Sequence, residues 1–371
     1  MAVTARTEPP ARRGGLWGAI TDVPGLRVGH AQRIADGWCS GVTVVLPPPG
    51  TVGAVDVRGG GPGTRETDAL DPSTVVSTVD AVCLAGGSAY GLAAADGVMA
   101  WCEQHGLGFG VGPPEDPRSL LVPVVPAAVI YDLGRGGDPR ARPGADLGRE
   151  AAAAAIREGL PVRGSVGAGT GAVMSTARLK GGIGTACVRV AVPSGVVVGA
   201  LAVVNAYGSP VDQATGRLYG EAFVPVGLPR PPAAPHPPHR PHGRRQTPPG
   251  PSGFATTLAV VATNATLDVA AARRAAGAGH DGLARALAPV HTLVDGDTVF
   301  ALATGQMALT GVEEVRTVQA AAADAVLLAV LDAVLAAHAL RTPGLDFPAY
   351  LDAEVATAVD SAPEATVDGE G

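Results

Sequence analysis

Apolar residues in this chain form short runs of strand length and longer runs of helix length. The short runs, rich in valine, alanine and other residues that suit buried strands, lie at residues 41–46, 81–85, 196–206, 256–263 and 298–303. Longer stretches with an apolar face have the length of helices, at residues 92–104, 146–158, 268–287 and 312–340. Several strands separated by a few long helices predict an α/β chain in which layered sheets are covered by helices.

Glycine-rich segments separate these elements, at residues 59–67, 86–91 and 164–171. Glycine lets the backbone approach another group closely. Gly87 and Ser88 lie between a strand and a helix, where backbone N–H groups suit an anion or oxyanion. An ordinary strand-to-helix turn explains the same string, and the motif alone favours that simpler interpretation. Residues 180–186 predict a tight turn in a hairpin.

The strand at residues 256–263 follows a segment that cannot pack. Ten prolines lie between residues 229 and 251, so residues 228–252 are predicted to form a solvated, extended and flexible loop. A flexible loop that enters a buried, threonine-led strand indicates a chain built to be cut. A cut between Ala255 and Thr256 would give Thr256 a free α-amine beside its hydroxyl.

That pairing has a chemical use. A threonine hydroxyl is a weak nucleophile that needs a base. An α-amine titrates near ~7.7–8.0, so it accepts a proton close to neutral pH. Thr256 would then supply nucleophile and base from one residue. The simpler interpretation is that Thr256 and Thr257 only begin a strand, because threonine favours strands. The stretch alone favours an ordinary strand start. The rest of the chain shifts the evidence toward a nucleophilic Thr256.

Composition narrows the class of protein. The 371 residues, 46% of them hydrophobic, are enough for one large α/β domain or two ordinary ones. Aromatic residues make up 4% and the net charge is −7, which argues against a nucleic-acid partner. The four cysteines form no C-x-x-C pair, which argues against a zinc or redox motif and fits a reduced cytoplasmic protein.

No membrane attachment is expected from the hydropathy pattern. Residues 1–15 contain prolines and arginines but no apolar leader segment. The apolar run at residues 320–340 is interrupted by Asp324 and Asp332, so we predict a buried helix there and no membrane span.

Some polar residues differ from their surroundings. Asn205 ends a strongly apolar run, so if it is buried it must be hydrogen-bonded or directed at a ligand. His236, His239 and His242 recur every three residues and would share one face of a polyproline II helix. Ordering such a loop around a metal costs conformational entropy, so no metal site is expected. The other histidines weighed here are interpreted as structural: His30, His280 and His291.

A series of short strings occurs in a recognisable order between about residues 20 and 305. They are TDVPGLRVGH at 21–30, RGG at 58–60 with PGTRET at 62–67, GGSAYGL at 86–92, GAGTG at 167–171, KGGIGT at 180–185, VVNA at 203–206, TTL at 256–258 and DGD at 295–297. Together they resemble the DmpA-type family of L-aminopeptidase/D-esterases and β-peptidyl aminopeptidases, which mature by self-cleavage. The chain is similar to the branch with a threonine nucleophile.

The resemblance implies a four-layer αββα sandwich of the DmpA/ornithine acetyltransferase type, as a single domain over residues 18–371. It implies a precursor cut into residues 1–255 and 256–371, which stay associated, and a homotetramer of processed protomers. Outside this domain we expect a disordered N-terminus at residues 1–17, and within it an acidic tail at residues 353–371. The resemblance implies no cofactor and no metal.

The same resemblance assigns roles to the residues that match the motifs. Thr256 would be the nucleophile and its freed amine the general base. Asn205 would donate a hydrogen bond to the tetrahedral oxyanion, a contribution of roughly 3 kcal/mol in comparable sites, and Tyr131 would assist it. Asp297 would hold the ammonium of Thr256 or of the substrate. Asp295, two residues away, would be close enough to share a proton with it.

Further residues are expected in the substrate pocket, namely Gly87, Ser88 and Lys180. Lys180 would neutralise a carboxylate there, although a place on a turn explains it equally well. Two positions depart from the family pattern. Ala255 precedes the nucleophile where this branch often has asparagine, so no side-chain amide assists the cut, but a small residue still permits an N→O acyl shift. Asp295 stands where the serine branch has serine, so a hydroxyl role cannot be carried over.

The function expected from these features is that of a self-processing aminopeptidase. It would remove N-terminal residues from small peptides, amides or esters through an acyl-enzyme on Thr256. Two alternatives stay open. Ornithine acetyltransferases resemble this fold and also mature at an Ala-Thr junction, and there an amine takes the acyl group. A non-enzymatic binding protein that no longer cleaves itself would keep its chain whole.

Overall fold

A computed structural model gives the fold of this chain. It describes residues 15–355 except 114, 117–119, 157–160, 177, 192, 213, 225–226 and 230–253. The expectations for residues 1–14, for most of the proline-rich loop with His236, His239 and His242, and for residues 356–371 lie outside the described residues.

The described residues form groups of strands separated by four α-helices. The strands are β1 (Arg27–Ala35), β2 (Trp38–Leu46), β3 (Val52–Val57), β4 (Thr64–Arg65), β5 (Val82–Ala85), β6 (Phe109–Val111), β7 (Leu120–Val122), β8 (Ala127–Val129), β9 (Val173–Met174), β10 (Leu179–Lys180), β11 (Gly182–Arg189), β12 (Val197–Asn205), β13 (Thr256–Ala265), β14 (Thr298–Met307), β15 (Leu340–Thr342) and β16 (Leu345–Phe347). The α-helices are α1 (Ala94–Gln104), α2 (Ala145–Ala154), α3 (Val269–Ala286) and α4 (Val312–Ala336).

Two five-stranded sheets form the centre of the fold. The first has the strand order β1-β2-β5-β8-β4 and the second the order β11-β12-β13-β14-β3. In the second sheet β12 and β13 are antiparallel, whereas β13 and β14 are parallel. Both β12 and β13 are buried along their whole length. Each is covered on both faces, which explains why their sequences are almost continuously apolar.

Apolar cores separate four layers of structure. Helices α1 and α2 pack on one face of the first sheet through residues such as Trp101. The two sheets face each other through a core that includes Leu84 and Phe300. Helices α3 and α4 pack on the far face of the second sheet through Leu283 and Leu331. This layer order confirms the expected αββα sandwich.

A buried carboxylate explains the polar interruption of the longest helix. Asp332 of α4 is fully buried, and its Oδ1 accepts hydrogen bonds from Arg163 Nη1 at 2.5 Å and from Leu16 N–H at 3.1 Å. Its Oδ2 accepts from Thr185 N–H at 3.0 Å. The charge is therefore paired and fully bonded, as a buried charge must be. Because Leu16 takes part, residues 15–17 differ from the disordered N-terminus expected there.

The glycines at residues 180–186 also have a different role from the one expected. Instead of a tight turn, these residues end β10 and begin β11, which pairs with β12 from Gly182 onwards. A Cβ at Gly184 would lie 2.1 Å from the carbonyl oxygen of Ala329 in α4. The small residue lets the helix lie directly on the strand, so a string typical of turns forms a strand here.

Among the described residues, α4 is the one helix long and apolar enough to cross a membrane by length and composition. In this fold 78% of its apolar window is buried inside the protein. A single helix of this kind is weak support for a membrane span, because the core helix of a soluble protein passes the same test.

Candidate active site

Thr256 and Asn205 lie side by side at one end of the second sheet. Thr256 is the first residue of β13 and Asn205 is the last residue of β12, and the antiparallel register pairs them directly. Both are buried, with exposed fractions of 4% and 0%. Two positions far apart in the sequence meet because the two strands run in opposite directions.

The peptide bond before Thr256 has two donors directed at its carbonyl oxygen. The Thr256 hydroxyl donates to the oxygen of Ala255 at 2.5 Å, and the Gly296 N–H donates to the same oxygen at 3.0 Å. Ala255 is buried, and its own N–H donates to the carbonyl of Val294 at 3.0 Å. The junction is therefore fixed, with a hydroxyl beside the carbonyl group that it would attack.

Asp297 is anchored by donors from two parts of the chain. Its Oδ1 accepts the N–H of Thr257 at 2.6 Å. Its Oδ2 accepts the N–H of His291 at 3.1 Å and contacts the His291 ring Nδ1 at 2.8 Å. Thr257 directly follows Thr256, so this carboxylate lies one residue from the α-amine that a cut before Thr256 would free.

Asp295 lies in the same loop and is also held by three donors. Its Oδ1 accepts the N–H of Tyr207 at 3.1 Å, and its Oδ2 accepts the N–H and the hydroxyl of Thr292 at 2.9 and 2.5 Å. Burial raises the pKa of Asp295 and the charge of Asp297 raises it further, whereas the bonds from Thr292 and Tyr207 lower it. Asp295 therefore ionises less readily than an exposed aspartate.

The glycine-rich segment after β3 donates hydrogen bonds to the loop that carries Asp295 and Asp297, which we call the acidic loop. The N–H groups of Arg58 and Gly59 donate to the carbonyl oxygen of Asp297 at 3.0 and 3.3 Å. The N–H of Gly61 donates to the carbonyl oxygen of Asp295 at 2.8 Å. The close approach that the glycines predicted is therefore made to the loop that carries the two carboxylates.

Asn205 is oriented by a cation that the sequence predictions missed. Its Oδ1 accepts hydrogen bonds from the N–H of Val173 at 3.0 Å and from Arg135 Nη1 at 2.5 Å. Its Nδ2 donates to the carbonyl oxygen of Tyr131 at 3.3 Å. Because two donors meet Oδ1, the amide nitrogen is the end of this side chain that can donate to an oxyanion.

Arg135 also donates from Nη1 to the carbonyl oxygen of Gly171 at 2.5 Å. Burial lowers the pKa of Arg135, and the nearby Asp132 raises it. Burial likewise raises the pKa of Asp132, which Arg135 lowers. Nothing in the sequence distinguishes Arg135 from the many other arginines of the chain, because its role depends on how the loop after β8 folds back on β12.

The Gly-Gly-Ser turn is bonded to the same loop. Gly87 has a left-handed backbone, with φ 84°, and its N–H donates to Asp132 Oδ1 at 2.6 Å. The Ser40 hydroxyl donates to Asp132 Oδ2 at 2.8 Å, and the N–H of Ser88 donates to the carbonyl of Ile130 at 2.9 Å. The backbone donor expected to meet an anion thus meets a carboxylate of the protein itself.

Lys180 is the one lysine of the chain, and it is fully buried. Its Nζ donates to the carbonyl oxygens of Gly169, Ala172 and Gly181 at 3.0, 2.9 and 2.8 Å. Burial lowers the pKa of Lys180 to about 7, whereas three carbonyl acceptors use all three hydrogens of an ammonium group. As the described residues are placed, the side chain bonds to backbone and does not line an open pocket. The KGGIGT string was the signal for Lys180, and the pocket role expected from it stays a prediction.

Tyr131 meets the site through its backbone, as the acceptor from Asn205. Its ring lies near that of Phe254, with centroids 6.0 Å apart at an angle of 36°. Phe254 comes two residues before Thr256, so the Tyr131 ring lies on the acyl side of the Ala255–Thr256 bond. The hydroxyl contact expected of Tyr131 is not among the hydrogen bonds of the described site residues.

Other candidate sites are less well formed. A surface cavity of about 290 Å³ lies at the opposite end of β13 and is lined by residues including Thr266, Asp268 and Leu309. Its carboxylate, on Asp268, caps α3 by accepting the N–H of Ala271 at 2.7 Å. Within the part of the chain that the structure describes, no group of three or more His, Cys, Asp and Glu residues could hold a metal ion.

The chain is similar to known proteins over most of its length. It matches the model of peptidase family S58 over residues 18–345. It is 51% identical over 361 residues to an uncharacterized aminopeptidase of Mycobacterium tuberculosis, which covers 90% of this chain and 97% of that protein. Its fold is similar to a Burkholderia sp. β-aminopeptidase, with a TM-score of 0.69, 24% identity and coverage of 93% and 94% of the two chains. It is also similar to the L-aminopeptidase D-Ala-esterase/amidase of Ochrobactrum anthropi, a variant of the Ntn hydrolase fold, with a TM-score of 0.66, 22% identity and coverage of 92% and 93%.

Proposed function

The chain belongs to peptidase family S58, and from this premise we propose that it is a self-processing aminopeptidase with Thr256 as its nucleophile. Family membership supports hydrolysis of peptide bonds. The self-cleavage and the threonine nucleophile are the finer steps of the proposal. One observation carries them: the Thr256 hydroxyl and the Gly296 N–H converge on the carbonyl oxygen of Ala255.

Self-cleavage begins with attack of Thr256 Oγ1 on the carbonyl carbon of Ala255, and the hydroxyl proton is the one that the nitrogen of Thr256 later takes up. The carbonyl oxygen becomes an oxyanion, which the Gly296 N–H stabilises. As the intermediate collapses, the C–N bond breaks and the nitrogen of Thr256 takes a proton. Ala255 is then an ester on Oγ1. Water hydrolyses this ester, which leaves a carboxylate on Ala255 and a free α-amine on Thr256.

Turnover uses the amine that self-cleavage has made. The α-amine takes the proton of Oγ1, and Oγ1 attacks the carbonyl of the first residue of the substrate. In this proposal Asn205 donates from Nδ2 to the developing oxyanion. The hydrogen bonds from Arg135 and Val173 to its Oδ1 support this role, because they leave the amide nitrogen as the donor end. The leaving amine takes the proton from the Thr256 ammonium. Water then attacks the acyl-enzyme, and the freed acid leaves.

Intact mass spectrometry of purified wild-type protein beside Thr256→Ala tests the proposal. We expect two wild-type fragments that meet at Ala255/Thr256, and one whole chain in the variant. Thr256→Ser is the matched control, because it keeps a hydroxyl and is expected to cleave. A cut before Thr257 would move the nucleophile by one residue. A wild-type chain that stays whole after long incubation contradicts self-processing and favours a binding protein.

The acyl acceptor needs a separate assay, because Ala255-Thr256 is also the kind of junction found in the acyltransferase alternative. Processed protein would be given L-alanine p-nitroanilide, which offers the same acyl residue as the self-cleavage step, with and without ornithine. Release of free alanine in both cases supports hydrolysis. Formation of alanyl-ornithine in preference to alanine would support acyl transfer.

A further inference from the structure

His291 is bound to Asp297 by two donors from a single residue. Its N–H and its ring Nδ1 both meet Asp297 Oδ2, at 3.1 and 2.8 Å. An ionised carboxylate only accepts, so Nδ1 carries a hydrogen in this contact. The backbone of His291 is left-handed, with φ 54°, a conformation that is uncommon outside glycine and that asparagine, aspartate and histidine adopt more often than other residues. In this backbone conformation both donors of His291 meet one carboxylate oxygen of Asp297.

The ring of His291 also packs on a second imidazole. The rings of His291 and His280 meet edge to face, with centroids 4.7 Å apart at an angle of 74°. His280 Nε2 donates to the carbonyl oxygen of Asp56 at 2.9 Å. Burial lowers the pKa of His280 to about 4, so this ring is neutral near pH 7. Nε2 of His291 and Nδ1 of His280 are both buried without a hydrogen-bond partner among the described residues.

The charged and titratable groups around this contact come from the loop of Asp297, from the end of β3 and from helix α3. Asp295 lies in the same loop as Asp297, and its carboxyl resists ionisation. Asp56 and Arg58, at the end of β3, form an ion pair at 3.3 Å, and Asp56 Oδ1 lies 3.9 Å from His280 Nε2. Helix α3 supplies the neutral His280. Of these groups, His291 is the one whose side chain is bonded to the Asp297 carboxylate.

We propose that His291 is a positioning residue for the nucleophile: by donating to Asp297 it limits the negative charge that reaches the α-amine of Thr256, and so keeps this amine a free base near neutral pH. The inference rests on the proposed function, because the amine exists only after cleavage before Thr256. A carboxylate beside an amine favours the ammonium form and raises the pKa of the amine. An ammonium group cannot take the hydroxyl proton, so this effect must be moderated for catalysis.

The left-handed backbone at His291 decides which substitutions can be compared with one another. Glycine and asparagine both adopt this conformation at little cost, so His291→Gly and His291→Asn differ mainly in the side chain. Asparagine places an N–H at the position of Nδ1 and keeps the bond to Asp297, whereas glycine removes it. His291→Asp is a second variant without an N–H that also tolerates the backbone. His280→Gln is the control, because it keeps the bond to Asp56 and does not touch Asp297.

The sequence makes the amine directly measurable. The one lysine of the chain, Lys180, lies outside residues 256–371, so the α-amine of Thr256 is the one amine of that fragment after cleavage. Its pKa can be measured by brief acetylation with acetic anhydride over a range of pH, followed by the mass of the fragment. The pH dependence of kcat/KM on L-alanine p-nitroanilide supplies the second measurement, because its acid limb follows the free-base form of the amine.

We expect His291→Gly to raise the pKa of the amine by about 0.5–1 unit. The acid limb of kcat/KM should move up by the same amount, with full activity retained at high pH. His291→Asp should shift both at least as far, whereas His291→Asn and His280→Gln should stay near wild type. A purely structural role would lower activity at every pH and leave the titration unchanged.

The experiments distinguish a failure of the role proposed for His291 from a failure of the proposed self-processing aminopeptidase function. If wild type cleaves itself and the amine titrates identically in wild type, His291→Gly and His291→Asp, the role of His291 is overturned and self-processing stands. If wild type cleaves itself but does not hydrolyse the anilide, the aminopeptidase activity fails, and the titration still decides on His291. If wild type stays whole, both proposals fall.

Discussion

The main-chain N–H of Gly296 donates a 3.0 Å hydrogen bond to the carbonyl oxygen of Ala255. This contact joins the loop of the two carboxylates to the bond proposed to be cut. It places a fixed donor where negative charge would develop during self-cleavage. It also explains why the residue between the carboxylates is glycine, because a Cβ there would lie 2.7 Å from Thr256 Oγ1.

Gly296→Ala should therefore block or strongly slow self-cleavage without unfolding the protein. The added methyl would crowd both the Thr256 hydroxyl and the carbonyl oxygen of Gly61, 2.8 Å away. Because the backbone must shift to relieve this crowding, the N–H would move away from the Ala255 oxygen, and we expect the half-time of cleavage to rise by on the order of 100-fold or more, the scale of losing one oxyanion donor. Intact mass over time measures it. The control is Gly110→Ala in β6, where nothing lies within 4 Å of an added Cβ. Cleavage of Gly296→Ala at the wild-type rate would contradict the proposed geometry.

Arg135→Met should lower kcat with little change in KM. The substitution removes one of the two donors to Asn205 Oδ1 and leaves the N–H of Val173, so the amide is held less firmly in the orientation proposed for the oxyanion contact. We expect a loss on the order of tenfold, less than the 100- to 1000-fold typical of deleting an oxyanion donor outright. Steady-state kinetics of processed protein checks this. Arg33→Met, which breaks an exposed ion pair with Glu150, is the matched control. An effect confined to KM would instead place Arg135 in substrate binding.

Lys180→Met should destabilise the fold by about 2–3 kcal/mol. Methionine fills similar space but leaves the carbonyl oxygens of Gly169, Ala172 and Gly181 without the ammonium donor. Urea unfolding of the uncleaved Thr256→Ala protein, with and without this change, measures the difference on a single chain. The transition midpoint should fall while its slope stays constant. A loss below about 0.5 kcal/mol would show that the three carbonyls do not depend on Lys180.

The fold should lose stability as the pH falls from about 6.5 to about 4, partly through His280. Burial lowers the pKa of His280 from 6.5 to about 4, so within this window the unfolded chain binds a proton that the folded chain does not. Stability is then fully present above pH 6.5 and is lost as the pH falls toward 4, by up to about 3 kcal/mol from this group. His30, whose pKa burial also lowers to about 4, contributes in the same direction.

His280→Gln isolates that contribution, because it can keep the donor to the Asp56 carbonyl while removing the titrating ring. Unfolding free energies of the Thr256→Ala protein at several pH values should fall less steeply with acid when this change is added. The two curves should run parallel above pH 6.5. Equal slopes between pH 4 and 6.5 would show that His280 does not govern the acid loss.

Much of the fold was predictable because its signals are local. The apolar runs that become β12, β13 and α4 follow from periodicity and length, and the four-layer order followed from the resemblance. Their ends were less accurate: α4 ends at Ala336, short of the expected residue 340. The glycines near residue 184 predict a turn, and this prediction is wrong because a turn and a close helix contact favour the same residue.

Within the candidate site, the sequence predicted the residues that lie in recognisable motifs. It did not predict the residues that hold those side chains in place. Thr256 and Asn205 stand out because they are polar at the ends of apolar strands. Arg135 and His291 lie in irregular loops, where no periodic pattern shows which side chain faces inward. His291 is bonded to Asp297, and Thr292 is bonded to Asp295. Both residues come shortly before the DGD string that contains these carboxylates, and this nearness in sequence was the one signal that pointed to them.

By itself, the sequence determined which segments are buried, where the junction proposed for cleavage lies, and which family its strings resemble. Each of these depends on residues close together along the chain. Tertiary structure alone decided that Gly296 meets the Ala255 carbonyl, that Arg135 fixes Asn205, and that Lys180 binds backbone carbonyls. These contacts join residues from separate loops and strands, so they exist only once the antiparallel pairing of β12 with β13 and the packing of the acidic loop have brought those residues together.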